Sequence, residues 1–164
     1  MAYHKRLLSD YRKTFECPEN GQIYRVSIPD EDNIRHWRFE IIELDPETRL
    51  GKEIIKHKEL FGQDYVVCHF HFPKDYPLRA PFVHLESPKL SGGTIFKGGL
   101  CADFLMNSWV PSTRPLPLLL QIRQVLLENN VGIHDPGKNE TWSLEEAQDG
   151  FSVAKKGHRH DKEF

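Results

Sequence analysis

The sequence is poor in cysteine and nearly balanced in charge. Its 164 residues include three cysteines, Cys17, Cys68 and Cys101, and their odd number and wide spacing do not suit a disulfide framework. Such usage is typical of a reducing compartment. The 22 basic and 24 acidic side chains give a formal net charge of -2, which argues against a nucleic-acid-binding protein. We therefore expect protein partners.

Long apolar runs are also missing. The first apolar pair, Leu7 and Leu8, directly follows a polar, basic segment, which does not fit a signal peptide. The longest leucine cluster, residues 116–120, contains Pro117 and is far shorter than the ~20 residues that span a bilayer. We expect no membrane association and a location in the cytoplasm, the nucleus or both.

The hydrophobic pattern predicts one α+β domain. Apolar residues four apart predict a first helix over residues 3–15. Alternation with a period of two predicts four strands in an antiparallel meander, at residues 24–28, 37–41, 66–72 and 82–85. Cys68 lies on the apolar side of the third strand. Residues 45–62, between the second and third strands, are expected to form a charged connection.

Two helices are predicted near the carboxyl end. One begins near Pro117 and is stopped by Asn129, Asn130 and Gly132. The other begins with a capping box formed by Ser143 and Glu146. We assign residues 1–157 to the domain and residues 158–164 to a charged tail that we expect to be disordered.

Nine histidines raise the question of a metal site. His69 and His71 share one face of the third strand, and His84 could join them from the fourth. No Cys-x-x-Cys or His-Glu-x-x-His pair accompanies them. We therefore interpret them as surface histidines on a solvent-facing side of the sheet, and predict neither a metal nor another cofactor.

A proline-rich segment and a cysteine carry the strongest motif. Three prolines stand in Phe72-Pro73-Lys74-Asp75-Tyr76-Pro77-Leu78-Arg79-Ala80-Pro81, which fixes a rigid, extended connection. Cys101 follows twenty residues later, and after it come Asp103, Leu105, Trp109 and Pro111. This arrangement resembles the ubiquitin-conjugating enzymes, with their F-P-x-x-Y-P-x-x-P-P loop, their cysteine in G-x-x-C-x-D-x-L, and W-x-P.

Within that family the chain is most similar to the Q-type branch. The similar segments are Ser87-Pro88-Lys89-Leu90-Ser91-Gly92-Gly93, Gly98-Gly99-Leu100-Cys101 and Gln121-Ile122-Arg123. The resemblance covers residues 3–157. It implies the α+β fold of ubiquitin-conjugating enzymes, with an N-terminal helix, a four-stranded antiparallel meander and C-terminal helices.

The resemblance also implies that Cys101 is a nucleophile. It would take ubiquitin or a ubiquitin-like protein from an activating enzyme as a thioester. With a ligase, it would then pass this group to a lysine or hydroxyl of a substrate protein. A thiolate suits both steps because it is a nucleophile and a good leaving group.

One position departs from the family pattern. The family usually carries His-Pro-Asn, with the asparagine eight residues before the cysteine, and this sequence has Gly93 there. That asparagine supports the active-site loop or the tetrahedral oxyanion, and an oxyanion donor is worth about 3 to 4 kcal/mol. Either a backbone N–H of the glycine-rich stretch replaces it, or transfer is slow without a ligase. The Q-type branch shares this loss, which leaves serine or threonine acceptors open.

Two aspartates follow the cysteine. Asp135 lies near the place where the family has an acidic residue that orients or deprotonates the acceptor lysine. Its position before Pro136 favours the simpler interpretation, a turn aspartate. Asp103 is interpreted as a loop hydrogen-bonding residue, and Trp109 and Pro111 as packing residues that brace the site.

For partner binding, the resemblance points to the first helix and two loops. It implies that Lys5 and Arg6, with Arg12, meet the activating enzyme, although these basic residues fit an ordinary solvated helix face equally well. It also implies that a ligase contacts Leu78 in one loop, and in the other Val110, Pro111 and Ser112.

Two other hypotheses remain. The loss of asparagine at Gly93 is compatible with a catalytically silent scaffold that binds ubiquitin or a ligase. The retained Cys101 favours the enzyme over that scaffold. An unrelated redox thiol protein is disfavoured because Cys101 has no resolving cysteine near it in sequence.

Overall fold

A six-stranded antiparallel sheet and four helices form the framework of the part of the chain that the structure describes. The computed structural model describes the backbone of residues 2–163 and the side chains of residues 4–155. The helices are α1 (Ala2–Glu16), α2 (Arg49–Phe61), α3 (Pro115–Leu126) and α4 (Leu144–Glu163). The strands are β1 (Tyr24–Ser27), β2 (His36–Ile41), β3 (Val66–His71), β4 (Phe82–Ser87), β5 (Leu90–Ser91), β6 (Ile95–Phe96), β7 (Gly99–Leu100) and β8 (Gly132–Ile133).

The sheet confirms the predicted fold class. Its strand order is β1-β2-β3-β4-β7-β6, so the expected four-stranded meander is present and the hairpin β6–β7 extends it. Register pairs Trp37 with Phe70 and Phe39 with Cys68, and all four side chains are fully buried. Helix α3 adds four leucine and isoleucine side chains to the same core: Leu118, Leu119, Ile122 and Leu126.

The charged connection expected at residues 45–62 is wrong, because most of it is helix α2. The Thr48 side chain accepts a hydrogen bond from the N–H of Gly51, and Gly62 ends the helix with a left-handed φ of 78°. Leu50 and Ile54 are buried. The capping residues and the i, i+4 spacing of Leu50 and Ile54 are present in the sequence as helix signals. The high density of charged residues concealed this narrow apolar stripe.

The interpretation of the histidines as solvent-facing is also wrong. His69 and His84 are only 8% and 4% exposed. Nε2–H of His84 donates to the carbonyl oxygen of Trp142 at 2.6 Å, and the Phe151 ring contacts the Phe82 ring edge-on. The cause is tertiary: α4 and the segment before it cover this part of the sheet.

Helix α4 begins as its capping box predicts. The hydroxyl of Ser143 accepts from the N–H of Glu146, and the Glu146 carboxylate accepts from the N–H of Ser143. The backbone of α4 continues to Glu163 through most of the predicted tail. Side chains beyond Lys155, and Phe164 altogether, lie outside the described residues, so the division at residue 157 stays a prediction.

Among the described residues, none of the helices combines the length and apolarity that crossing a membrane requires.

Candidate active site around Cys101

Cys101 follows β7 directly and precedes a short 3-10 turn, Asp103–Leu105. Its backbone N–H donates to the carbonyl oxygen of Thr94 at 2.8 Å, which fixes the cysteine to the strand edge. Its side chain is half-buried, with Sγ 3.9 Å from the carbonyl oxygen of Gly99. Cys68, in contrast, is completely buried in the core. Cys17 is half-buried just beyond the end of α1.

Burial raises the pKa of the Cys101 thiol to about 11. Burial raises the pKa of Cys68 further above its usual range. In the free protein Cys101 is therefore a protonated thiol at neutral pH, and it must lose its proton as it attacks. A preformed thioester is a sufficiently activated partner for such a nucleophile.

The glycine-rich approach to Cys101 is explained by close backbone packing. A Cβ atom on Gly99 would lie 2.5 Å from the carbonyl oxygen of Ala147 in α4. One on Gly98 would lie 2.5 Å from Cβ of Trp142. These glycines therefore let α4 and the Trp142 segment reach the hairpin that ends at Cys101.

Gly93, where the family carries asparagine, lies in the exposed turn between β5 and β6 with a φ of 59°. A Cβ atom at this position would lie 3.5 Å from Nδ2 of Asn130 and 3.6 Å from its Oδ1. In the sequence Asn130 signals only the end of a helix. Nothing in the spacing signalled this contact, because residues 93 and 130 meet through tertiary packing alone.

The segment after Cys101 is braced by side-chain hydrogen bonds. The indole of Trp109 donates to the carbonyl oxygen of Pro77 in the proline loop. The hydroxyl of Ser108 donates to the Asp103 carboxylate, and the N–H of Ser108 donates to the Asp103 carbonyl oxygen at 3.0 Å. Asp103 and Trp109 are thus both engaged within the loop structure.

Asp135 lies in a turn of its own. Its Oδ1 accepts from the N–H of Gly137 at 3.3 Å, and its Oδ2 is 3.7 Å from Nζ of Lys138. These contacts are those of a turn aspartate. A role in orienting an acceptor lysine stays a prediction.

The structure brings together the three elements predicted to bind partners. Nη2 of Arg6 in α1 donates to the carbonyl oxygen of Pro111 at 2.9 Å, and its guanidinium lies over the Tyr76 ring. Leu78 is 65% exposed, and Val110 is 53% exposed.

The remaining predicted contact residues, Lys5, Pro111 and Ser112, are also exposed. Arg6 itself is only partly exposed and is engaged with the loop and with Asp10. The helix and both loops therefore form one continuous surface, in which Arg6 acts as a connector. Its contact with an activating enzyme stays a prediction.

A cavity of about 390 Å³ lies beside the proline loop. Residues from that loop, the start of β4, the segment after Cys101 and α4 line it, among them Leu78, Phe82, Met106, Trp109 and Phe151. No local pattern in the sequence indicates this cavity, since it depends on how α4 packs. Among the described residues, no cluster of three or more histidine, cysteine or acidic side chains is placed to hold a metal ion.

Comparison with known proteins places this fold and site in a family. The chain is 30% identical over 147 residues to ubiquitin-conjugating enzyme E2 N of Drosophila melanogaster, a match that covers 88% of this chain and 86% of that protein. It is 26% identical over 149 residues to ubiquitin-conjugating enzyme E2 Q1 of Homo sapiens, which is consistent with the Q-type resemblance. That match covers 89% of this chain, which spans only 35% of E2 Q1. No family model matches the chain.

Solved structures support the fold. A Plasmodium vivax ubiquitin-conjugating enzyme E2 superposes with a TM-score of 0.58 at 20% identity, over 74% of this chain and 98% of that one. Human ubiquitin-conjugating enzyme E2 G1 superposes with a TM-score of 0.53 at 20% identity, over 75% of this chain and 89% of that one. With its antiparallel sheet, its proline loop and its cysteine beyond a glycine-rich hairpin, the chain belongs to the ubiquitin-conjugating enzyme family.

Proposed function

We propose that this chain carries ubiquitin or a ubiquitin-like protein as a thioester on Cys101 and transfers it to a lysine or hydroxyl of a substrate protein. The observation that carries the proposal is the position of Cys101. Its thiol is half-buried, and its backbone N–H is bound by the Thr94 carbonyl oxygen at the end of a glycine-rich hairpin, directly before the segment that Trp109 braces.

The chemistry consists of two acyl transfers. In the first, the Cys101 sulfur attacks the thioester carbonyl on the activating enzyme. A new C–S bond forms, the old one breaks, and the Cys101 proton passes to the departing thiolate. In the second, an amine or hydroxyl attacks the new thioester, an amide or ester bond forms, and Cys101 leaves as a thiolate that regains a proton.

The partners are those that the family resemblance implies, and the surface described above offers their contact sites. An activating enzyme would contact α1 through Lys5 and Arg6. A ligase would contact the exposed Leu78 and the loop of Val110, Pro111 and Ser112. A location in the cytoplasm or the nucleus agrees with this proposal and stays a prediction.

The second candidate is a catalytically silent scaffold that binds ubiquitin or a ligase. The observation that favours it is Gly93, which supplies no side chain where the family carries asparagine. The half-exposed thiol favours the enzyme, because a scaffold does not need a reactive side chain at this point.

The deciding experiment is a charging assay. The protein is incubated with an activating enzyme, ATP and each of a panel of ubiquitin-like proteins, and adducts are separated without reducing agent. The parent protein should form an adduct that a thiol reagent releases. Cys101→Ser should form a thiol-resistant ester or no adduct, whereas Cys17→Ser, the control at the other partly exposed cysteine, should charge normally.

The scaffold makes the opposite prediction. No charging of the parent protein with any member of the panel would refute the enzymatic proposal. Ubiquitin binding that survives Cys101→Ala in the same protein would then establish the scaffold.

A further inference from the structure

The side chain of Asn130 lies against the turn that leads to the candidate nucleophile. Asn130 is exposed, and its amide nitrogen and oxygen lie 3.5 and 3.6 Å from the point where a Cβ atom of Gly93 would be. Its carboxamide thus occupies the space beside Gly93 that a side chain on Gly93 would reach.

Backbone packing holds Asn130 in this place. Strand β8 pairs with β5 in a register that puts Gly132 opposite Ser91. A Cβ atom on Gly92 would lie 1.8 Å from the carbonyl oxygen of Asn130, so the two segments approach this closely only because residue 92 is glycine.

Helix α2 supports the same segment from the other side. A carboxylate oxygen of Glu53 accepts from the N–H of Ile133 at 2.5 Å, and the other is bound by Nε of Arg49 at 3.0 Å. A Cβ atom on Gly132 would lie 2.4 Å from the same Arg49 nitrogen. The helix that the sequence did not reveal therefore fixes strand β8, which begins two residues after Asn130.

A short path connects this contact to Cys101. Gly93 is followed by Thr94, whose carbonyl oxygen accepts from the N–H of Cys101 at 2.8 Å. The N–H of Ile95 donates to the carbonyl oxygen of Gly92 at 3.2 Å and closes the turn. A group that steadies residues 92–94 also steadies the backbone that holds the nucleophile.

We propose that Asn130 is a positioning residue for the transfer step, and that its carboxamide braces the turn of residues 92–94 while the acyl group leaves Cys101. This inference rests on the proposed function. In that step the acceptor nitrogen bonds to the thioester carbon, the C–S bond breaks, and Cys101 takes up the proton that the amine loses. Misplacement of the reacting groups by about 1 Å can cost roughly 100-fold in rate, so such a brace has a measurable effect.

The test isolates the second step. The protein is first charged, ATP and the activating enzyme are then removed, and discharge to free lysine is followed over a range of lysine concentrations. Asn130→Ala should reach the parent's extent of charging. Its maximal discharge rate should fall by about tenfold or more, with an unchanged half-saturating lysine concentration. Asn129→Ala, which alters an exposed neighbour, should discharge at the parent's rate.

A second variant supplies the carboxamide from the opposite side. In Asn130→Ala/Gly93→Asn the new side chain starts from a φ of 59°, a left-handed region that asparagine tolerates better than most residues. Its Cβ would meet Val131 at 3.4 Å, which is ordinary contact. This double variant should recover most of the lost rate, whereas Asn130→Ala/Gly93→Ala should not.

The outcomes separate the two proposals. A parent protein that does not charge refutes the proposed function and the role of Asn130 with it. A parent that charges while Asn130→Ala discharges within twofold of it refutes the role of Asn130 alone. Equal recovery with alanine and asparagine at position 93 also refutes that role, because backbone stiffness would then be sufficient.

Discussion

The indole Nε1–H of Trp109 donates a 2.8 Å hydrogen bond to the carbonyl oxygen of Pro77, 32 residues earlier in the chain. This bond joins the segment that follows Cys101 to the proline loop. Leu78, the next residue of that loop, is exposed on the surface predicted to bind a ligase. The candidate nucleophile and this surface are therefore parts of one braced unit.

Trp109→Phe should weaken this unit. The substitution keeps an aromatic ring but leaves the Pro77 carbonyl without its donor, at a cost of about 1–3 kcal/mol in the free energy of unfolding. Urea unfolding followed by far-ultraviolet circular dichroism measures the loss. Trp142→Phe is the matched control, since the indole nitrogen of Trp142 also donates a hydrogen bond, to the carbonyl oxygen of Leu90 at 3.0 Å. Ligase-dependent discharge should fall only in Trp109→Phe, and equal discharge in both variants would contradict the bracing role.

Alkylation of Cys101 should depend steeply on pH. Burial raises the pKa of this thiol to about 11, and only the thiolate reacts. The rate with iodoacetamide should therefore rise about tenfold for each pH unit between pH 7 and 10. Mass spectrometry of digested protein can follow each cysteine separately, with the fully buried Cys68 as the unreactive control. An alkylation rate that levels off by pH 9 would show that burial does not raise the pKa of the Cys101 thiol.

The buried histidines should make the protein less stable in acid. Burial, with His84, His36 and Arg38 as further causes, lowers the pKa of His69 to about 3. An unfolded histidine takes up a proton near pH 6.5, so below that pH the unfolded state binds more protons and stability falls as the pH falls towards 3.

For His69 this loss should reach about 2 kcal/mol in the free energy of unfolding between pH 7 and 5. Urea unfolding at the two pH values measures it, and His69→Gln should reduce the difference. A variant that retains the full pH dependence of the parent would assign the effect to other groups.

Gly150→Ala should destabilise the protein although it lies inside a helix. Alanine usually stabilises such a position by about 1 kcal/mol relative to glycine. Here the added Cβ would lie 2.2 Å from the carbonyl oxygen of Phe96, so α4 must move away from the hairpin that leads to Cys101. The change should appear as a lower urea midpoint, whereas Ser152→Ala, at an exposed position of α4, should not lower it. A more stable Gly150→Ala would mean that α4 is not held against the hairpin.

Local patterns in the sequence were sufficient to predict much of the fold. The period-two alternation around Phe39 and Cys68 predicted strands with one buried face because successive side chains point to opposite sides of a sheet. The capping box at Ser143 predicted the start of α4 because it satisfies backbone groups within four residues. The motif around Cys101 indicated the family in the same way, since its residues are close together in the chain.

Contacts between distant segments could be decided only by the tertiary structure. The sheet side that carries His69 and His84 is polar in sequence, yet α4 and the Trp142 segment bury it. Their close approach also explains why Gly98, Gly99 and Gly150 have no side chain. Charge concealed α2, whose apolar stripe is narrow and whose role is to hold β8. The sequence alone therefore determined the first helix, the four strands of the meander and the two helices near the carboxyl end, and it singled out Cys101 among the three thiols through its motif. Helix α2 and the short strands β5 to β8 became apparent only in the structure. Packing decided that Asn130 meets Gly93, because residues 37 positions apart become neighbours only when β5 and β8 pair.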